Sequence, residues 1–257
     1  MVISTPHRSF RLAPCSLQRL RDRLKTSNER GGSATGITSQ NINLSFENDP
    51  LPAQSYTKRG CLGSGRNGNV YEYYCEGKSL AVKKVYHGGN DKIIASCLKE
   101  ASIHNFVHNQ IPGSTVELLE VKADSGCVYI IEEKGPKTLE DLAVSGSIDL
   151  EDMPAIANKC LFLLEKVHGI GVAHNDIKLA NFLAEQDSNG EWNILLIDFG
   201  ASTIGNHGSA DVKWTIPDII SSLLIAYKRM KLKGLDAREQ KLIANFKAQY
   251  PPNWMRC

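Results

Sequence analysis

The chain has 257 residues, with 30 Lys and Arg against 28 Asp and Glu, a formal charge of +2, and 42% hydrophobic residues. That composition belongs to a globular protein and excludes a collagen-like or wholly disordered chain. No stretch approaches the ~20 apolar residues of a membrane-spanning helix, and the near-neutral balance weighs against a dedicated nucleic-acid binder.

The charge is unevenly spread. Residues 1–30 carry seven basic side chains (Arg8, Arg11, Arg19, Arg21, Arg23, Lys25, Arg30) against Asp22 and Glu29, a net +5, so the remainder of the chain sums to −3. Residues 1–55 are rich in Ser, Thr, Asn, Arg and Gly and read as a disordered leader. No apolar run follows its first basic residues, which argues against a secretory signal peptide. The Arg-rich, acid-poor opening resembles a mitochondrial transit peptide. Its Ser/Thr/Asn-rich character also resembles the secretion signals of bacterial type III effectors, and a plain tail is the third reading. The seven cysteines form no Cys-x-x-Cys pair, so the pattern suits reduced thiols rather than a zinc ribbon or a disulfide framework.

From Tyr56 the texture changes. The β-type runs Asn69–Tyr74 and Ser79–Tyr86 flank the turn Glu76-Gly77-Lys78. Residues 91–109 read as a helix, with Ile93, Ile94, Cys97, Leu98, Ala101 and Phe106 near helical spacing. Strands over Val116–Val121 and Cys127–Glu132 follow, joined at Asp124-Ser125-Gly126. This order predicts a small sheet with one packed helix, an α+β unit. Beyond residue 138 the pattern turns helical. Met153, Ile156, Ala157, Cys160, Leu164 and Val167 mark one apolar face. A mixed loop, a strand at Ile194–Ile197 and helices around Ile219–Tyr227 and Leu242–Tyr250 complete the chain.

Several segments carry chemistry. Gly63-Ser64-Gly65-Arg66-Asn67-Gly68-Asn69-Val70 is a Gly-rich run before a strand, where backbone can approach phosphates without Cβ strain. Ala81-Val82-Lys83 then puts a lysine in an apolar strand, a costly arrangement unless it is paired. Lys84 alternates to the opposite face and reads as solvated. Glu100, on the following helix, is the natural partner of Lys83, with Glu132 and Glu133 as rivals. His174-Asn175-Asp176-Ile177-Lys178-Leu179-Ala180-Asn181 gathers an acid, a base and an amide in one loop. The apolar strand Leu195-Leu196-Ile197 ends in Asp198-Phe199-Gly200. Asp198 and Asn181 supply the few hard oxygen ligands that Mg²⁺ takes when phosphates and water complete its shell.

In this order the segments resemble the eukaryotic-type protein kinase signature, over roughly residues 58–230. The resemblance implies a two-lobed fold: a five-stranded-sheet small lobe with one helix over residues 56–133, and a truncated, mainly helical large lobe over 134–257. It implies that Gly63, Ser64, Gly65 and Gly68 cover ATP, that Lys83 holds its α- and β-phosphates, and that Glu100 orients Lys83. It implies that Asp176 accepts the substrate hydroxyl proton, Lys178 steadies the γ-phosphate, and Asn181 with Asp198 holds magnesium. Ile131 falls at the gatekeeper position, and the backbone of Glu132–Lys134 would meet adenine. Val70, Ala81 and Leu183 match the apolar residues that sandwich the base.

The pattern departs from that family in places. Asn175 stands where the family has an Arg that receives an activation-loop phosphate, which implies activity without loop phosphorylation. No Ala-Pro-Glu follows Gly200, and Asp218 already resembles the start of the next large-lobe helix. This plan resembles bacterial effector kinases of the OspG and NleH type, which implies secretion into a host cytoplasm, a host protein as substrate and a host activating partner. A scaffold that only binds a host protein, and a small-molecule kinase, are the competing readings. The intact Lys83, Asp176, Asn181 and Asp198 stand against the scaffold, and Lys178 favours protein substrates. His104 and His108, four residues apart, read as packing or surface residues rather than metal ligands, His104 as core packing. Lys228, Arg229, Lys231 and Lys233 read as a solvated basic face.

Overall fold

The computed structural model describes residues 44–47, 49–53, 55–65, 68–205, 216–231 and 234–249. Residues 1–43, the glycine-run tip Arg66-Asn67, and Lys233 lie outside the described residues. The protein has a sheet lobe and a helical lobe. Strands β1 (Leu44–Phe46), β2 (Tyr56–Gly65), β3 (Gly68–Cys75), β4 (Lys78–Tyr86), β5 (Leu118–Ala123) and β6 (Cys127–Glu133) form one sheet in the order β1-β5-β6-β4-β3-β2. Helix α1 (Asp91–Gln110) packs on it. The helix starts where Asn90 caps it, the side chain accepting from the Lys92 N–H at 3.0 Å and so satisfying one of the orphan donors of a helix start.

The sheet has six strands rather than the expected five, and the added one lies within the stretch 1–55 read as a leader. Leu44–Phe46 adds a strand parallel to β5, Leu44 opposite Val121, and Leu44 packs against the cluster of α1 and β5. Three residues are too few to show an alternation. An unpaired β5 edge, with its row of free N–H and C=O groups, recruits them. The β3–β4 turn follows expectation: Glu76 and Gly77 both take positive φ, 49° and 85°, which suits the right-handed twist of a two-residue hairpin.

Strand alternation divides the sheet into two faces. Val121, Ala123, Val128 and Ile130 pack with Ile94, Cys97 and Ala101 of α1. Leu80, Val82, Cys127, Tyr129 and Ile131 form a separate cluster on the far face. Lys83 stands opposite Ile130, hence on the α1 face.

The helical lobe holds α2 (Leu139–Val144), α3 (Met153–Gly169), α4 (Ile216–Met230) and α5 (Ala237–Gln249), with short strands β7 (Lys137–Thr138), β8 (Val172–Ala173), β9 (Phe182–Gln186), β10 (Trp192–Leu196) and β11 (Thr203–Ile204). Its core joins Met153, Ile156, Cys160 and Leu164 of α3 to Ile219, Ile220 and Leu223 of α4, and reaches Ile103 and Val107 of α1. The mixed loop expected between Val167 and Ile194 contains β9, which pairs with β10 from Phe182↔Leu196 to Gln186↔Trp192. The Asp187 carboxylate closes that hairpin by accepting from the N–H groups of Asn189 and Glu191 at 2.8 and 2.9 Å. Lys231, expected to be solvated, lies 2.7 Å from Glu239 of α5. The Tyr227 hydroxyl donates to the same carboxylate at 2.6 Å, so the α4–α5 joint uses one cation of the basic run. Lys228 and Arg229 are exposed.

Candidate active site

The site lies where the sheet lobe meets the helical lobe. Lys83 Nζ sits between two acids, 2.5 Å from Glu100 Oε1 and 2.8 Å from Asp198 Oδ1. Of the three candidate partners, Glu100 reaches the lysine. Glu132 is turned to His104 instead, and Glu133 is exposed. Burial pushes Lys83 down, but Glu100 and Asp198 outweigh it and hold the ammonium well above its ordinary value. Burial pushes Asp198 up, yet Lys83 more than offsets it and the carboxyl falls below the usual range. Burial dominates at Glu100, which rises despite Lys83. A single cation shared by two carboxylates leaves the more buried one less fully compensated.

The chain leading into Asp198 is pinned by two backbone hydrogen bonds. The Leu196 N–H donates to the Ser114 carbonyl at 2.8 Å, and that of Ile197 to the Asn181 carbonyl at 2.9 Å. Asp198 itself adopts the left-handed region, φ 63° and ψ 69°, which short polar side chains tolerate better than most. Its neighbour Phe199 is 1% exposed and lies between two imidazoles, 5.3 Å from the His174 ring and 5.4 Å from that of His104.

The loop of Asp176 is built from its own hydrogen bonds. The Asp176 N–H donates to His174 Nδ1 at 3.3 Å, so His174 carries its proton on Nε2, which donates to the Ile197 carbonyl at 2.9 Å. Asn175 is forced to φ 65°. Its amide donates to the Ala201 carbonyl at 3.2 Å and to Thr203 Oγ1 at 3.0 Å, and β8 pairs with β11 beside it. Lys178 Nζ lies 2.6 Å from Asp176 Oδ2. Asn181 Nδ2 donates to the Asp176 carbonyl and carboxylate at 2.7 and 3.1 Å. With its amide N–H groups committed there, the Asn181 side chain has its carbonyl oxygen left for a cation. The Asn181 oxygen and the Asp198 carboxylate are the hard, mostly oxygen donor set that suits Mg²⁺.

The glycine run forms the β2–β3 hairpin, with Gly63 opposite Val70 and Gly65 opposite Gly68. A Cβ added at Gly63 or Gly65 would meet nothing within 4 Å, whereas at Gly68 (φ 129°) it would lie 2.6 Å from the Lys84 carbonyl oxygen. The first two therefore leave room above the hairpin, and the third is required by its own fold.

The wall of the site differs from expectation. Ile131, placed at the gatekeeper position, stands opposite Val82 and packs with the far-face cluster. Glu132 stands opposite Ala81, on the Lys83 face, so the wall residue is an acid. A one-residue shift in a strand moves a side chain to the other face. Two amide groups of the segment expected to meet adenine are already used: Glu133 N–H donates to the Glu117 carbonyl at 2.9 Å and Lys134 N–H to the Ser79 carbonyl at 3.2 Å. Leu183 is buried under Gly135, where an added Cβ would clash with it.

The family model for the protein kinase domain matches residues 56–227, most of the chain and all of the groups just described. The chain belongs to the protein kinase family. Among its relatives are a probable serine/threonine-protein kinase, fhkB, of Dictyostelium discoideum, 27% identical over 166 residues, which is 63% of this chain and 14% of that one. Mitogen-activated protein kinase kinase kinase 3 of Arabidopsis thaliana is 27% identical over 203 residues, 74% of this chain and 32% of the relative. The serine/threonine-protein kinase PknG of Mycobacterium leprae is 27% identical over 171 residues, 62% and 21%. The chain thus spans a third or less of the length of these curated relatives. The bridge of Lys83, Glu100 and Asp198 in this kinase-family chain joins β4 and the neighbouring α1 to the segment after β10, 115 residues beyond Lys83. Sequence reasoning named Glu132 as a rival partner of Lys83 and missed that it faces His104 instead. The signal was the paired Glu132-Glu133 at the end of an otherwise apolar strand, whose facing the pattern alone left ambiguous.

Proposed function

We propose that this protein is an ATP- and Mg²⁺-dependent kinase that transfers the γ-phosphoryl group to a serine or threonine hydroxyl of a protein. The observation that carries the proposal is Lys83 Nζ bridging Glu100 and Asp198. It sets a cation and a carboxylate side by side beneath a glycine hairpin with open space above Gly63 and Gly65. Lys83 is positioned to neutralise the α- and β-phosphates, with Val70, Ala81 and Leu183 as the apolar surfaces for the base. Asn181 and Asp198 would hold magnesium, whose charge would offset that of the phosphates. Asp176 accepts the proton as the acceptor oxygen bonds to the γ-phosphorus and the bond to the β–γ bridging oxygen breaks, releasing ADP. Lys178, already beside Asp176, neutralises charge on the moving phosphoryl group. Catalysis of this kind is positioning and electrostatics. The test is transfer of labelled phosphate from Mg-ATP by the purified chain to itself and to a generic protein acceptor.

Activity is independent of a phosphate on the segment after Gly200. Asn175 has no charge to pair with a phosphate, and its amide already ties that segment through Ala201 and Thr203. An Arg at this position would instead recruit an added phosphate. Phosphatase treatment of the purified protein is expected to leave its transfer rate unchanged. A rate that collapses on treatment and returns on rephosphorylation would overturn this.

The proposal extends to location: a bacterial effector, delivered by type III secretion, that acts on a host protein with the help of a host partner. Its support is the Ser/Thr/Asn- and Arg-rich composition of residues 1–55. Those residues fused to a translocation reporter should carry it into host cells from a secreting strain and fail to do so from a secretion-deficient one. Equal signal from both strains would remove the proposal.

A further inference from the structure

His104 lies one turn beyond Glu100 on α1, is 2% exposed, and makes hydrogen bonds with both ring nitrogens. Nε2 faces the Val116 carbonyl at 2.8 Å. A carbonyl only accepts, so Nε2 carries a proton. The Thr115 hydroxyl oxygen lies 3.1 Å from the same nitrogen. Nδ1 lies 3.0 Å from Glu132 Oε1, on a side chain 19% exposed. The ring lies against Phe199, the two planes tilted by 39°. One buried side chain therefore touches four parts of the site: the helix of Glu100, the strand entry at Thr115 and Val116, the wall residue Glu132, and the residue after Asp198.

We infer that His104 is a positioning residue whose paired bonds to Glu132 and Val116 tie α1 to the site wall and thereby hold Glu100 against Lys83 and Phe199 beneath Asp198. The inference rests on the kinase reading of the site. An apolar side chain here would stack on Phe199 but leave α1 free to slide along the sheet, because dispersion contacts have no directional preference and hydrogen bonds do. The imidazole's environment agrees with a charged pair. Burial pushes His104 down, but the Glu132 carboxylate and the Val116 carbonyl together outweigh it and raise its pKa. The carboxylates facing the ring are Glu132 on β6 and Glu100 on α1. His108 follows one turn later on α1, and His174 lies across Phe199. A hydrogen-bonded acid–imidazole pair in a poorly hydrated place is stronger than in water, and costly if one partner is removed.

The experiment compares steady-state kinetics of His104→Leu, His104→Asn, Glu132→Leu and the double variant His104→Leu/Glu132→Leu. Thermal midpoints report the folded fraction of each. The loss in His104→Leu should fall on kcat, about ten- to a hundredfold, the scale of a slight misplacement of reacting groups, with KM for ATP changing much less. His104→Asn sets an amide near the place of Nδ1 and should recover part of kcat. Glu132→Leu should lose kcat by a similar factor, and the double variant should be no worse than the poorer single one. If His104→Leu does not fold, Glu132→Leu reads the same tie from the other end. An active wild type whose His104→Leu and Glu132→Leu variants keep kcat, or lose it additively, overturns the inference alone. A wild type that transfers no phosphate overturns the kinase reading and this inference with it.

Discussion

Replacing Asp198 with Ala is expected to remove phosphate transfer, by about a thousandfold or more in kcat, the scale seen when one preorganised electrostatic group is deleted. The carboxylate is one of the two anions on Lys83 and, in the proposed function, one of the two oxygen ligands of magnesium, so its loss would remove charge compensation from both ends of the phosphate chain. The fold should survive. The residue is partly exposed at its side chain, 35%, and its backbone is held by Leu196 and Ile197 through the Ser114 and Asn181 carbonyls. The left-handed φ of 63° adds a distinction. Ala there costs about 1–2 kcal/mol of backbone strain, which Asn avoids. Asp198→Asn should therefore lose transfer just as fully while melting closer to the wild type. Steady-state kinetics and thermal melts of both variants decide it, and wild-type turnover in either would sink the assignment.

Lys83→Ala is the second. It should lower kcat by about a hundred- to a thousandfold, and unlike Asp198→Asn it should also reshape stability against pH. In the wild type the depressed pKa of Asp198 contributes stability that is present above the ordinary carboxylate value of about 4 and is lost as pH falls through its lower folded value. Without Lys83 that contribution goes, while Glu100, already raised by burial, rises further. A raised folded pKa contributes stability below the ordinary value that is lost as pH rises through the folded one. The variant should thus gain on the wild type toward acid and fall behind it toward neutral pH. Urea midpoints measured across pH 4 to 8 check this. Parallel curves for the two proteins would show that Lys83 does not govern these carboxylates.

Much of the fold was legible because its signals are local. The hairpin at Glu76-Gly77, the 3.6-residue period of α1 and α3 and the apolar run into Asp198 need only neighbouring residues, and the structure places them within a few positions of expectation. The elements that escaped are those made by pairing at a distance. Strand β1 exists because β5 has an open edge, and β8 with β11 because Asn175 and Thr203 meet; β9 alone is local, the first arm of a hairpin with β10. Lys231 left the solvated face once α5 brought Glu239 within reach. Lys83 against Glu100 was legible as a pairing, since a lysine in an apolar strand demands an acid and Glu100 lies within the apolar period of the next helix.

The sequence by itself determined the order of the site's chemistry: glycines, then lysine, then acid, then the Asp176 loop, then Asp198. It determined the α+β plan as well, because each of those residue types answers a local requirement of charge, flexibility or burial. Only the tertiary structure decided which side chains meet across the lobes. Strand register turned Ile131 to the far face and Glu132 inward, and packing of α1 set His104 between Glu132, Val116 and Phe199. The physical reason is the two-residue period of a strand. A single step reverses every side chain, and nothing in a run of apolar residues ending in two glutamates tells which of them faces the lysine until the neighbouring strand is in place.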